Sequence, residues 1–349
     1  MSALTHRGVV AALGAAALFG AGTPVAKMLL AHAGPWLLAG VLYLGSGVGL
    51  LLYRLLSRAP GVQLRRAELG WLAGAVVAGG MLGPLLLMTG LAGMAAADAS
   101  LLLNAEGVFT ALLAWFVFKE NFDRRIASGM LAIAAGAVVL GWPGSEGVGA
   151  SWPSLAVLGA CLSWAIDNNL TRKVSVADAS FIAMVKGLAA GATNLALALA
   201  SGAHWPSGGI LAAGAGLGFL SYGTSLVLFV VALRHLGTAR TGAYFSTAPF
   251  FGAILALALL AEPPTVRLLV AGALMALGVW LHLTERHGHM HRHEAMEHSH
   301  EHVHDEHHQH GHEGAVAPGE RHTHWHRHDP VTHAHEHYPD VHHQHSHPH

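Results

Sequence analysis

The residue type that most plainly invites chemistry is histidine. Of the 63 residues from His287 to His349, 24 are His, and many alternate strictly. The runs are His287, His289, His291 and His293; His298, His300, His302 and His304; then His322, His324, His326 and His328. Neutral imidazole suits Zn, Ni, Co and Cu, and a mobile chain can gather several imidazoles around one ion. Acids such as Glu297, Glu301, Asp305 and Glu306 are interspersed. Such a segment cannot bury a core, and it is expected to be disordered without metal. The irregular spacing rules out an expression tag. Clustered His also titrates near neutrality, so a pH-responsive or merely solubilising tail is the competing reading. No cofactor is required elsewhere in the chain.

The rest of the sequence is apolar, and its few polar residues stand out. A charge near the centre of a bilayer costs at least about 2.5–3.5 kcal/mol on insertion scales, so each is a candidate for function. Glu106 lies mid-way along an apolar window, with Asn104 beside it and Asp98 one to two turns toward one end. A protonatable or cation-binding role is set against a structural Glu satisfied by a neighbouring helix. Asp167, Asn168 and Asn169 form a second polar cluster, which lines a cavity unless it already lies at the headgroups. Lys186 could neutralise an acid from another helix, receive a substrate carboxylate, or snorkel to the membrane surface. Tyr222, Tyr244, Ser246 and Thr247 offer hydroxyls to a substrate, although such groups commonly satisfy helix carbonyls.

No Walker loop, HExxH, CxxC or GxSxG occurs in a plausible context, and no residue is assigned a catalytic role. Cys161 is the only cysteine and sits in an apolar run, so no intrachain disulfide forms. The chain is expected to be neither an enzyme nor a nucleic-acid binder.

The elements that position these residues follow from composition. The chain is 53% hydrophobic and 11% charged, contains 43 Gly, and has mean hydropathy +0.45. That is too little charge to cover a soluble domain, and the fold class is all-α integral membrane. A spanning helix needs about 20 apolar residues. Ten windows qualify: 7–31, 36–56, 70–91, 97–118, 124–142, 153–173, 178–200, 210–233, 239–261 and 265–285. Glycines paired four apart, including Gly79/Gly83 and Gly187/Gly191, predict close helix packing.

Residues 97–139 recur loosely 142 positions later. Ala97, Phe109, Ala111, Leu113, Ala114, Glu120, Arg125, Ala134 and Gly136 meet identical residues at that offset. A fainter echo joins Leu13–Lys27 to Leu158–Lys173, aligning Gly22, Thr23 and Pro24 with the 167–169 cluster. With the N-terminus inside, 13 Lys or Arg flank the helices on the cytoplasmic side, against Lys27 and Arg267 outside. Both termini are then cytoplasmic. Five helices per repeat, an odd number, invert the second copy relative to the first. The domains are a first five-helix repeat (7–142), a second (153–285) and the His-rich cytoplasmic tail (287–349).

These residues resemble the drug/metabolite transporter superfamily, in particular its tandem EamA-type branch of ten helices. The first window, AALGAAALFGAGTPVAKMLL, is similar to that family's opening helix, and LGACLSWAIDNNLTRKV to its second-repeat counterpart. The clearest likeness lies in the fourth and ninth windows, which end in Phe118-Lys119-Glu120 and Ala261-Glu262-Pro263. Family members commonly carry Pro midway along these helices. Pro249 keeps it, whereas the aligned position is Gly107, preceded by Glu106. The resemblance implies secondary transport, often export, of small metabolites, and names no substrate.

The leading expectation is therefore a proton- or gradient-coupled exporter of a small solute in the cytoplasmic (inner) membrane of a bacterium. A divalent metal or a metal-linked metabolite is one candidate solute. In one rival reading the tail senses or stores metal and the helices are a scaffold. In another, an amino acid or drug is exported while the tail only buffers metal. The partners are the lipid bilayer and a small-molecule or metal-ion substrate, and a homodimer is one assembly open to such a chain.

Overall fold

The structure, a computed structural model, describes residues 3–59, 61–62, 64, 66–118, 124–142, 151–172, 174 and 178–283. In the tail it describes residues 288–293, 296–302, 322–328 and 331–336. Lys119, Glu120, Lys173, His287 and His304 lie outside these residues. The chain divides into a helical unit and a tail unit, 286–339.

The helical unit is a multi-pass membrane protein. Its first repeat holds α1 (Ala3–Leu29), α2 (Pro35–Leu56), α3 (Arg66–Ala75) with α4 (Gly83–Ala92), α5 (Ala96–Leu102) with α6 (Ala105–Phe118), and α7 (Arg124–Gly141). The second holds α8 (Trp152–Arg172), α9 (Ala179–Ala200), α10 (Gly208–Gly218) with α11 (Ser225–Phe245), α12 (Ala248–Leu259) and α13 (Val266–Leu283). Among the described residues six helices are long and apolar enough to cross a membrane, and three shorter apolar helices accompany them. In α8 the polar run Asp167-Asn168-Asn169 dilutes an otherwise apolar helix.

Two features mark the repeats structurally. A π-helical segment, π1 (Val76–Leu82), joins α3 to α4, and π2 (Phe219–Thr224) joins α10 to α11. These lie about one repeat offset apart. The fourth window breaks at Leu103-Asn104 and the ninth at Ser246-Thr247, 143 residues apart and so within one residue of the repeat offset. Pro249 stands in the first turn of α12, where its missing N–H costs nothing. The sequence windows differ from the structure at one boundary. No break separates 233 from 239, because α11 runs on to Phe245. The lone Gly237, without a Pro, does not stop the helix there.

The repeats interlock. α1 packs on α11 and α12 of the second repeat, while α8 packs on α4 and α6 of the first. α2 pairs with its own counterpart α9, and α7 with its counterpart α13. Small residues allow these approaches, as expected in a bilayer. A Cβ at Gly187 would lie 2.7 Å from Gly47 Cα, and one at Gly252 would lie 2.8 Å from Gly20 O. Gly79 and Gly83 serve otherwise. They make room for the Asp167 carboxylate and the Trp164 indole, not for another backbone.

The tail unit carries β1 (Gly288–His293), β2 (Met296–His302), β3 (His322–His328) and β4 (Val331–Glu336). β1 pairs antiparallel with β4, and β2 with β3. The tail read as disordered is thus extended and paired in its described residues. Alternation of period two permits this, since it is the period of a strand. Two-stranded ladders alone are marginal and bring no packed core.

Candidate functional site

The break before α6 places Glu106 in the first turn of a new helix. The unpaired N–H groups and the dipole of that helix start favour a carboxylate there. Glu106 Oε1 accepts a hydrogen bond from Asn168 Nδ2 at 2.8 Å, and the same amide lies 3.4 Å from Thr110 Oγ1. Glu106 is half-buried and Asn168 exposed. Polar groups presented by helices at membrane depth face a polar space rather than lipid.

Asp167 is buried, with 4% of its surface exposed, and is engaged elsewhere. Lys186 Nζ on α9 donates to both of its oxygens, at 2.6 and 2.5 Å, and Thr171 Oγ1 donates at 2.8 Å. Lys186 thus neutralises an acid of another helix and does not snorkel. Among the described residues no cation is ion-paired with Glu106. It feels Asp167 and Lys186 only through longer-range electrostatics. Two carboxylates and one ammonium leave a surplus negative charge whenever Glu106 is ionised.

An aromatic wall continues the site. Trp164 lies one turn before Asn168 on α8, and its Nε1 donates to Gly79 O at 2.9 Å. Tyr43 OH donates to the same carbonyl at 3.0 Å and lies 3.3 Å from Trp164 Nε1. Asn194 Nδ2 reaches Gly80 O at 3.3 Å and Met81 O at 3.4 Å. The π1 segment exposes carbonyls that regular helix would hide, and α2, α8 and α9 supply their donors. Tyr222, in π2, has its ring centre 5.5 Å from that of Tyr43 and 5.8 Å from that of Phe19.

Glu106, Asp167, Asn168, Lys186 and Tyr222 therefore assemble, and other sequence candidates do not. Asn104 is buried and donates to Leu101 O, with Met275 Sδ 3.9 Å away. Asn169 donates to Ala165 O and Thr110 O, tying α8 to α6. Tyr244 packs beside Ala11, Ala12 and Ala232, and Thr247 Oγ1 satisfies the Tyr244 carbonyl. Asp98 stands in the first turn of α5, electrostatically near Arg267 and Glu262. Tyr43, Trp164, Thr110 and Asn194 were missed. Only the Trp164/Asn168 spacing of four, which puts both on one helix face, signalled any of them.

Charged residues at helix ends have structural work. Glu262 accepts from Ala96 N at 2.7 Å and Ala97 N at 2.9 Å, capping α5. Lys27 Nζ donates to the carbonyls of Leu91, Ala92 and Met94 at 2.7, 3.2 and 2.9 Å, closing the end of α4. Arg267 Nη2 donates to Leu140 O near the end of α7. Arg54 of α2 pairs with Asp178, the N-cap of α9, at 2.8 Å.

In the tail, strand register sets His opposite His. His289 faces His335 and His291 faces His333. His298 faces His326, His300 faces His324 and His302 faces His322, while His293 faces Val331 and His328 faces Met296.

Two interlocked five-helix repeats around a polar cluster on broken helices are the build of a membrane transporter. The chain belongs to the EamA-like transporter family, which matches residues 6–142 and 151–284, one stretch per repeat. It is 31% identical over 207 residues to an uncharacterized transporter of Methanothermobacter thermautotrophicus, covering 58% of this chain and 60% of that protein. The chain thus spans about 60% of that relative's length. A crystal structure shares the fold at TM-score 0.58 and 20% identity, covering 81% of this chain and 99% of that one.

Proposed function

We propose that the protein is a proton-coupled secondary exporter of a small solute in the cytoplasmic membrane, with both termini inside, and that Glu106 is its coupling and binding acid. One observation carries this reading. Asp167 is neutralised by Lys186, whereas among the described residues Glu106 accepts from the neutral Asn168 amide and pairs with no cation. Its negative charge must be met by a proton or by a cationic group of the solute. One carboxylate that takes either, but not both, exchanges protons for solute across the membrane. In proteoliposomes carrying a pH gradient, solute flux should vanish in Glu106→Gln while the protein stays folded. Full, pH-dependent flux by that variant would return Glu106 to a structural role.

The tail, on this reading, is a metal-binding appendage. Facing His pairs on paired strands offer Zn, Ni, Co or Cu two imidazoles per rung. Several ions should bind and be released as pH falls through the imidazole pKa of about 6.5. Truncation after Arg286 should remove this capacity. If the truncated protein leaves both flux and cellular metal tolerance unchanged, the tail has no metal role in the cell.

A further inference from the structure

We infer that the solute is an organic ammonium ion, seated with its charge at Glu106 and its alkyl or aryl body against the aromatic wall of Tyr43, Trp164 and Tyr222. The inference rests on the transport reading above and names the class of solute for that same site.

The charges decide against other classes. A divalent metal needs several oxygen, nitrogen or sulfur ligands at once. Here both Asp167 oxygens are occupied by Lys186, and Asp167 also accepts from Thr171. The Cys161 thiol is buried and directed at Leu102 O, 3.6 Å away. Among the described residues no three His, Cys, Asp or Glu side chains are grouped to hold a metal. An anionic solute would need a cation, and Lys186 is already committed to Asp167. A solute carrying one positive charge answers the one carboxylate left over.

The wall supplies the rest. An aromatic ring carries negative charge on its face, which attracts a cation and most of all one that gives up its water easily. Substituted ammonium is such a cation; hydrated Zn is not. Tyr43 and Trp164 are both anchored through their polar atoms on Gly79 O, which fixes their rings. Tyr43 lies within electrostatic reach of Glu106. Tyr222 is half-buried, and its hydroxyl has no hydrogen-bond partner among the described residues. It extends the wall toward Phe19, whose ring in turn lies 5.3 Å from that of Phe245. Acid, amide and rings thus run as a chain of neighbours, from Glu106 and Asn168 through the buried Trp164 on the same face of α8 to the half-buried rings of Tyr43 and Tyr222, with Phe19 of α1 beyond them.

The test uses the full-length protein with benzyltrimethylammonium, and with phenylalanine, benzoate and Zn as comparisons. Binding is read from tryptophan fluorescence in detergent, and flux from solute-driven proton movement in proteoliposomes. Benzyltrimethylammonium should bind saturably and drive protons in the opposite direction. Glu106→Gln should lose both. Tyr222→Ala should weaken binding about tenfold, while Tyr222→Phe, which keeps the ring face, should bind as the parent does. Proton movement driven by phenylalanine, benzoate or Zn without any response to the ammonium probe overturns the inference and spares the transport reading. Equal affinity of Tyr222→Ala and the parent also overturns it. Binding of the probe without flux does the reverse, supporting the solute class and defeating transport. Neither binding nor flux for the ammonium probe defeats the inference outright.

Discussion

The Asp167 carboxylate lies directly over the Cα of Gly79, so closely that a methyl group on Gly79 would overlap it. The same contact recurs in the other half with the sizes exchanged: Gly22, the counterpart of Asp167, faces Ser221, the counterpart of Gly79. Gly79→Ala must therefore move Asp167 away from Lys186. Overpacking of this kind costs about 1–3 kcal/mol, and a lowered melting temperature in detergent together with reduced flux is expected. Gly22→Ala should be milder, because a Cβ there would sit 3.2 Å from Ser221 Cβ and Oγ, a tight contact that a shift of a few tenths of an ångström relieves. Equal tolerance of both substitutions would contradict the contact.

The Asp167–Lys186 pair should show strong coupling. Removing one partner leaves a buried, uncompensated charge and costs about 3–5 kcal/mol, whereas removing both can be nearly neutral. Lys186→Met should therefore unfold at markedly lower temperature, and Asp167→Asn combined with Lys186→Met should recover most of the loss. Simple additivity in that cycle would mean that the two charges do not meet in the folded protein.

Glu262 caps α5 through two backbone N–H groups, so Glu262→Ala should cost about 0.5–2 kcal/mol, as the loss of a helix cap does. The loss should appear in thermal unfolding. The pH dependence of flux should be unaltered, since Glu262 lies outside the Glu106 site. A changed pH profile would place Glu262 in the coupling machinery instead.

Asp178, at the start of α9 and outside the membrane span, has a lowered pKa. Partial burial pushes it up, but the Ser180 hydroxyl, the Phe181 N–H and the Arg54 guanidinium together pull it further down. A carboxylate held lower in the folded state stabilises the protein above its unfolded pKa of about 3.9 and loses that contribution as pH falls through the folded value. Asp178→Asn should be less stable than the parent at neutral pH, and the gap should narrow as pH falls below the unfolded value of about 3.9 and through the lower folded one. A gap that persists unchanged in acid would exclude the ionised carboxylate as its source.

Much of the architecture was legible in the sequence because membrane helices announce themselves by uninterrupted apolarity and their duplication by a fixed offset. Glu106 and the 167–169 cluster were legible for the converse reason, as polar residues are costly in lipid. Their partnerships were not. Asp167, Asn168 and Asn169 are consecutive, so a helix of 3.6 residues per turn sends them to three different neighbours. Only the fold distributes them to Lys186, Glu106 and Thr110. Tyr43 was invisible, and Trp164 was marked only by its spacing from Asn168, because an aromatic residue in an apolar run reads as packing. The π segments that orient them leave no local motif. Lys27 read as a charge near a helix end and Glu262 as part of the motif closing the ninth window, and their capping roles depend on ends of other helices far away in sequence.

The placement of π1 and π2 also bears on how the two halves can differ while keeping one plan. A π segment holds one residue more than regular helix would, and its surplus carbonyls need donors from elsewhere. In the first half Tyr43, Trp164 and Asn194 supply them from three other helices. In the second half Tyr222 lies within the insertion itself and turns its ring to Tyr43. The same irregularity thus binds neighbouring helices in one repeat and presents an aromatic side chain in the other.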